Sequence, residues 1–128
     1  MKDLEPSNLE AVYAQAHALY QSGQEAKATK MFEVLCALRP HDTRFWFGLA
    51  ASRQESAEYE KALTAWAMCA ILDPENPYPH FHAAECATSL NHKEDALLAL
   101  RQAKSLLTGE KHPLCSTIDA LEERWRTQ

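Results

Sequence analysis

Residues Thr43–Asn76 read TRFWFGLAASRQESAEYEKALTAWAMCAILDPEN. Ala50 and Ala62 are small residues inside two runs of helical spacing, and Asp73-Pro74 stops the second run. Shifted by 34 residues either way, the same pattern returns with no insertion or deletion. Ala16 and Ala84 then stand in register with Ala50, and Ala28 and Ala96 with Ala62. Pro40 aligns with Pro74, while Phe32 and Leu100 align with Trp66. Self-similarity at a period of roughly 20–50 residues marks supersecondary units that bury their apolar faces only by stacking. Paired helices that approach closely need small side chains where their axes meet, because interiors tolerate little overpacking. Ala16 with Ala28, Ala50 with Ala62, and Ala84 with Ala96 are the expected close contacts. Phe32, Trp66 and Leu100 are expected to fill the space between neighbouring repeats.

The boundaries follow from caps and breakers. The first repeat covers 9–42. Its A helix is expected over Asn8–Ser22, capped by Ser7 or Asn8 and broken at Gly23. Its B helix is expected over Glu25–Leu38, stopping ahead of Pro40 because the residue before a proline is pushed out of the α region. The second repeat covers 43–76, with Asp42 or Thr43 as cap, an end near Ser56, and a B helix opening at Glu58. The third covers 77–110. Pro77 and Pro79 fit only at a helix start; Asn91-His92 makes the turn, and Lys93–Leu107 forms the B helix. A last helix, expected over Pro113–Trp125 within 111–128, sets Leu114, Ile118, Leu121 and Trp125 on one face and charges on the other. A 34-residue period of helix pairs resembles the tetratricopeptide repeat. The resemblance implies an all-α single domain over 1–128: three tandem helix pairs and a C-terminal capping helix, in a right-handed solenoid with a concave groove.

At 128 residues the chain is long enough to bury a core without staples. Apolar residues make up 46% and charged residues 24%, as in an ordinary globular protein. The net charge of −5, with no cluster of Lys and Arg, argues against nucleic acid or an anionic membrane as partner. Cys36, Cys69, Cys86 and Cys115 show no CxxC spacing and read as small buried apolar residues in a reducing compartment. The segment Met1-Lys2-Asp3-Leu4-Glu5-Pro6 lacks the apolar core of a secretory signal, and no run approaches the ~18 residues of a membrane span. A cytoplasmic location is the expectation.

In this repeat family the A helices line the concave side, through repeat positions 2, 5, 9 and 12. The first repeat offers Glu10, Tyr13, His17 and Tyr20. The second offers Arg44, Phe47, Ala51 and Gln54. The third offers Tyr78, Phe81, Glu85 and Thr88. Rings with small residues between them make a trough in which an extended peptide could lay apolar side chains. For Phe47 and Phe81 the competing reading is packing against neighbouring helices. Tyr13 and Tyr20, at i, i+7 on the terminal repeat, are the stronger groove candidates, since phenol hydroxyls prefer a wet edge. Removing both is expected to weaken binding and leave unfolding unchanged.

Two strings are more specific than generic repeat positions. Arg44–Gln54, RFWFGLAASRQ, and Pro79–Cys86, PHFHAAEC, resemble the class II chaperones of bacterial type III secretion. Tyr13–Gly23, YAQAHALYQSG, is similar to that family's first A helix. The resemblance covers about residues 10–107 and implies a cytoplasmic chaperone of hydrophobic translocator proteins, with no cofactor. It also implies a groove that takes a short extended client segment of the type P-x-L-x-x-L-P, with Tyr13, Tyr20 and Phe47 on the family's aromatic positions. Family members carry an N-terminal helical extension, often used in dimerisation. Here about eight residues precede the first helix, so a homodimer is possible but not favoured.

Other functions remain to be weighed. A general repeat adaptor holding a folded partner is the alternative to a chaperone. A clamp for a C-terminal carboxylate needs a cation and an amide in the first A helix, where Tyr13 and His17 stand; Gly48, Tyr78 and His82 hold its other positions, so a carboxylate lacks partners there. His82 and Cys86, at i, i+4 with Glu85 beside them, are too few for a metal site and lack the electropositive setting a reactive thiol needs. No Gly-rich phosphate loop, GxSxG or HExxH occurs, so no catalytic residue is assigned. His41, His92 and His112 read as solvent-facing turn residues.

Overall fold

The computed structural model describes residues 6–109 and 112–127. Among them are seven helices and no strand: α1 Pro6–Gln21, α2 Glu25–Leu38, α3 Thr43–Glu55, α4 Tyr59–Leu72, α5 Tyr78–Ser89, α6 Lys93–Ser105 and α7 Leu114–Arg126. By packing, the chain forms two compact units, Met1–Ala65 and Trp66–Gln128.

The repeat is written in the backbone as clearly as in the side chains. α1 begins at Pro6, so Ser7 and Asn8 lie inside its first turn and neither is the cap; the residue ahead lies outside the described residues. Proline suits that first position because its φ is preset and its missing N–H would be unpaired anyway. Each A helix then closes in the same way. Gly23, Ala57 and Asn91, spaced 34 apart, all take positive φ, at 81°, 61° and 60°. The Gln24 N–H donates to Leu19 O at 2.9 Å and Gly23 N–H to Tyr20 O at 3.2 Å. Glu58 to Arg53 with Ala57 to Gln54, and His92 to Ala87 with Asn91 to Thr88, repeat the pair. This double bond closes the last turn of a helix and favours glycine at the left-handed residue. Ala57 pays a steric cost there that glycine does not. Ala57→Gly is therefore expected to raise stability by up to about 1 kcal/mol, read as a higher thermal midpoint.

In the first unit, Asp42 caps α3, its side chain accepting from the Arg44 N–H at 3.0 Å. Ala16, Ala28, Ala50 and Ala62 are fully buried, as close helix contacts require. Phe32, 1% exposed, reaches from α2 to both A helices. Its ring meets Tyr13 edge-on at 6.2 Å and lies over Gly48, where a Cβ would come within 2.7 Å of Phe32 Cδ1 and closer still to Cε1 and Cζ. The Thr29 and Ser52 hydroxyls, 3.0 Å apart in the interior, tie α2 to α3.

In the second unit, Trp66 fills the corresponding place, stacked on His82 at 4.7 Å and 25°. Ala84 and Ala96 are again fully buried. Phe81, Ala84, Ala99, Leu100, Ala103, Leu114 and Ile118 form one core cluster; Ala87, Ala96 and Trp125 form another. The apolar face of α7 thus lies inward through Leu114, Ile118 and Trp125, with Leu121 half-buried. Its polar side binds back to α6, where Lys104 Nζ lies 3.0 Å from Asp119 and 3.3 Å from Glu122. α6 ends two residues before the expected Leu107, because Leu106 and Leu107 donate to carbonyls three residues back. α7 starts at Leu114, one residue late, with Pro113 ahead of it.

Candidate functional site

The first unit joins two of the faces singled out by sequence. Glu10 and Arg44 occupy the same repeat position on α1 and α3. Arg44 Nη2 lies 2.8 Å from Glu10 Oε1, and Nη1 lies 3.1 Å from Oε2, a bidentate pair. The same guanidinium reaches Asp42, with Nε 3.1 Å from Oδ1 and Nη2 2.9 Å from Oδ2. Its carbon sits 4.9 Å above the Tyr13 ring and 5.2 Å above Phe45. Hydrogen bonds from Arg44 hold the carboxyls of both Glu10 and Asp42 below their usual range, and raise the pKa of Arg44 itself.

This arrangement has a pH signature. A carboxylate whose folded pKa is lowered contributes stability above its unfolded pKa and loses it as the pH falls through the folded value. The clamp is thus intact at neutral pH and opens only as the pH falls below the ordinary carboxylate range. In Arg44→Gln, the Glu10 and Asp42 side-chain pKa values followed by NMR are expected to rise toward ordinary carboxylates. Unmoved values would mean the guanidinium does not hold them.

Tyr13 is half-buried, with Phe45 at 5.6 Å and His17 at 6.1 Å. His17 is exposed, and Tyr20 is half-buried one turn pair further along α1. Burial first, then the charges of Glu55 and Glu25, raises the Tyr20 pKa, so its phenol stays neutral. Phe47, Ala51 and Gln54 are half-buried on α3. α1 and α3 therefore present a surface of rings and small residues, and the cation at its N-terminal end, Arg44, is already neutralised. Sequence reasoning missed Asp42 as a partner of Arg44 and Phe45 as the buried ring beneath Tyr13 and Arg44; opposite charges at positions 10 and 44, one period apart, were the available signal for the ion pair.

The second unit treats its share differently. Tyr78 remains 37% exposed. Phe81 is 7% exposed and belongs to the core cluster with Leu114 and Ile118, so its assignment to an open groove is corrected. Thr88 likewise faces α7, accepting from Trp125 Nε1 at 3.4 Å. Glu85 Oε1 lies 2.7 Å from His82 Nδ1. α7 covers the inward face of α5 in these places. His112 is also not a free turn residue: it is half-buried, accepts from the Leu114 N–H at 3.0 Å, and lies 6.0 Å from the Tyr78 ring.

His82 and Cys86 do not make a reactive pair. His82 is stacked on Trp66 and bonded to Glu85. Cys86 is fully buried, and burial pushes its thiol up to about 12, far from the depressed value a nucleophile needs. Among the described residues no three His, Cys, Asp or Glu side chains gather as a metal site. None of their helices is long and apolar enough to cross a membrane.

Paired helices repeated in tandem, with half-buried rings along α1 and α3, are the frame of a solenoid repeat class. Comparison with known proteins narrows the class. A family model described as tetratricopeptide repeat matches residues 9–42 and 44–76. The Yersinia pestis "Low calcium response locus protein H" is 36% identical over 107 residues, 84% of this chain and 64% of that protein, so the chain spans less than two thirds of that relative. The Yersinia enterocolitica type III secretion chaperone SycD, solved in complex with a peptide of the translocator YopD, is 31% identical with a TM-score of 0.91, over 98% of this chain and 97% of that one. PcrH, a Pseudomonas aeruginosa protein, solved in complex with the chaperone binding region of PopD, is 32% identical with a TM-score of 0.90, over 98% and 96%. The chain belongs to the tetratricopeptide-repeat family and, within it, is similar to the type III secretion chaperone SycD and to PcrH.

Proposed function

We propose that this protein is a chaperone of the bacterial cytoplasm that binds an extended hydrophobic segment of translocator proteins and keeps them soluble for export. The observation that carries this reading is the ring-lined surface of α1 and α3, in a chain similar to a chaperone solved with a translocator peptide and to PcrH solved with the chaperone binding region of PopD. Tyr13, Tyr20 and Phe47 are the anchors, with Ala51 as the small residue between them. A segment of the type P-x-L-x-x-L-P would lay its leucines against these rings, and its prolines would keep it extended at little entropic cost. Covering apolar residues of an unfolded client lowers the exposed surface that drives aggregation.

Charge supports the choice of an apolar client. Arg44 is the cation at the N-terminal end of the α1–α3 face, and Glu10 and Asp42 already occupy its donors. A client carboxylate would have to displace them. The four cysteines are free, which suits a reducing compartment; Cys36, Cys69 and Cys86 are buried as expected, whereas Cys115, in the first turn of α7, is only half-buried.

The test is a titration of the full chain with a fluorescent P-x-L-x-x-L-P peptide and with the same peptide carrying aspartate in place of both leucines. Saturable binding that the aspartate version loses is the expected result. Equal binding of both, or of neither, would sink the chaperone reading and favour an adaptor for a folded partner.

A further inference from the structure

A second polar feature lies in the Trp66–Gln128 unit and plays no part in the α1–α3 surface. The end of α5, the turn after it and α7 enclose a cleft of about 230 Å³ lined by Thr88, Asn91, Leu121, Arg124 and Trp125. That is below the ~300–1,000 Å³ of a drug-sized pocket, and suits a group the size of one amino-acid residue. Trp125, 5% exposed, and half-buried Leu121 supply an apolar wall. Thr88 accepts from the Trp125 indole at 3.4 Å, which leaves the hydroxyl proton of Thr88 to be donated. Asn91 is exposed at the left-handed turn residue.

Arg124 is the group in this cleft that lacks a counterpart. The acidic residues of its helix are already committed: Asp119 and Glu122 to Lys104 at 3.0 and 3.3 Å, and Glu123 to Arg126 at 3.1 Å. Among the described residues no carboxylate pairs with Arg124. Arg124, Asn91 and Thr88 line one residue-sized space beside an indole, and a guanidinium, an amide and a hydroxyl are together a donor set for carboxylate. We infer that this cleft binds a carboxylate of a partner polypeptide, carried next to an apolar side chain that rests against Trp125 and Leu121. The carboxylate is either a chain end or an Asp or Glu side chain. It is a site for a second contact, chemically opposite to the apolar recognition of the α1–α3 surface.

The probes are three small molecules added to the full chain and followed by NMR of the Trp125 indole and the Asn91 side-chain amide. N-acetyl-leucine carries a chain-end carboxylate, N-acetyl-aspartate N-methylamide carries a side-chain one, and N-acetyl-leucinamide carries none. Saturable shifts with either acid but not with the amide are expected, and which acid binds identifies the source. Arg124→Gln, a change at an exposed side chain, is expected to weaken that binding at least fivefold with an unchanged thermal midpoint. Arg124→Lys, which keeps the charge and loses the fork, is expected to bind at an intermediate level. No saturable shift, equal shifts from leucinamide, or full binding by Arg124→Gln would each overturn the inference.

Discussion

Replacing Gly48 with alanine is expected to destabilise the protein by about 1–3 kcal/mol, although the change should favour the helix. Alanine gains roughly 1 kcal/mol over glycine inside a helix, and Gly48 sits within α3. What defeats that gain is space. The new Cβ would fall on the Phe32 ring, touching three of its atoms. Phe32 has nowhere to go, being 1% exposed and already edge-on to Tyr13. Either α2 and α3 separate or the ring leaves its rotamer, and close-packed interiors resist both. For a chain of this size each kcal/mol moves the thermal midpoint by about 3–5 °C, so a melt followed by circular dichroism reads the effect. The double variant Gly48→Ala with Phe32→Leu assigns the cause. Relief of the clash should make it more stable than the sum of the two single losses by more than ~0.5 kcal/mol. Simple additivity would mean that the two residues do not collide.

Gly48 also marks where the sequence stops being readable. The helix pairs were legible because one pattern recurs three times: the alanines of both series are fully buried, and α2 has the predicted bounds. Periodicity says which positions are small, but not which large side chain makes them so. Glycine at 48 reads as a weakness in a helix until Phe32 is placed over it. Ala57 was hidden for a related reason. Alanine carries no turn signal, and only its register with Gly23 and Asn91 betrays the left-handed backbone.

The candidate site occupies the same repeat positions on three helices, yet those positions are not equivalent in the structure. Tyr13, Phe47 and Phe81 share one repeat position, so a repeat alignment treats them as equals. They differ in what packs alongside. Tyr13 stays half-open beneath Arg44, whereas Phe81 is buried in the core cluster that Leu114 and Ile118 of α7 help to form. A capping helix covers whatever lies beneath it, and the repeat pattern holds no information about its seat. Arg44 shows the same limit for charge. Its position on the face was readable, but its neutralisation by Glu10 and Asp42 is a matter of geometry.

Removing both rings of α1 tests the proposed function most directly. Tyr13→Ala with Tyr20→Ala is expected to weaken the leucine-bearing peptide by about tenfold or more, the scale of losing at least 1.4 kcal/mol of anchor energy. The structure revises one part of the sequence-based expectation. Unfolding will not be unchanged, because Tyr13 packs against Phe32 and Phe45 and supports the Arg44 guanidinium. A lower thermal midpoint with retained helix content is therefore expected, and loss of binding alone would not separate an anchor from a prop. Phenylalanine makes the separation. Tyr13→Phe with Tyr20→Phe keeps the ring area, the edge contacts and the cation–π face, and removes only two hydroxyls. If the rings anchor apolar side chains, this variant binds like the parent and melts close to it. If the hydroxyls read a polar feature of the peptide, the phenylalanine variant loses affinity while its fold stands. Parental affinity in the alanine variant would remove both rings from the site and return the weight of binding to Phe47 and the rest of α3.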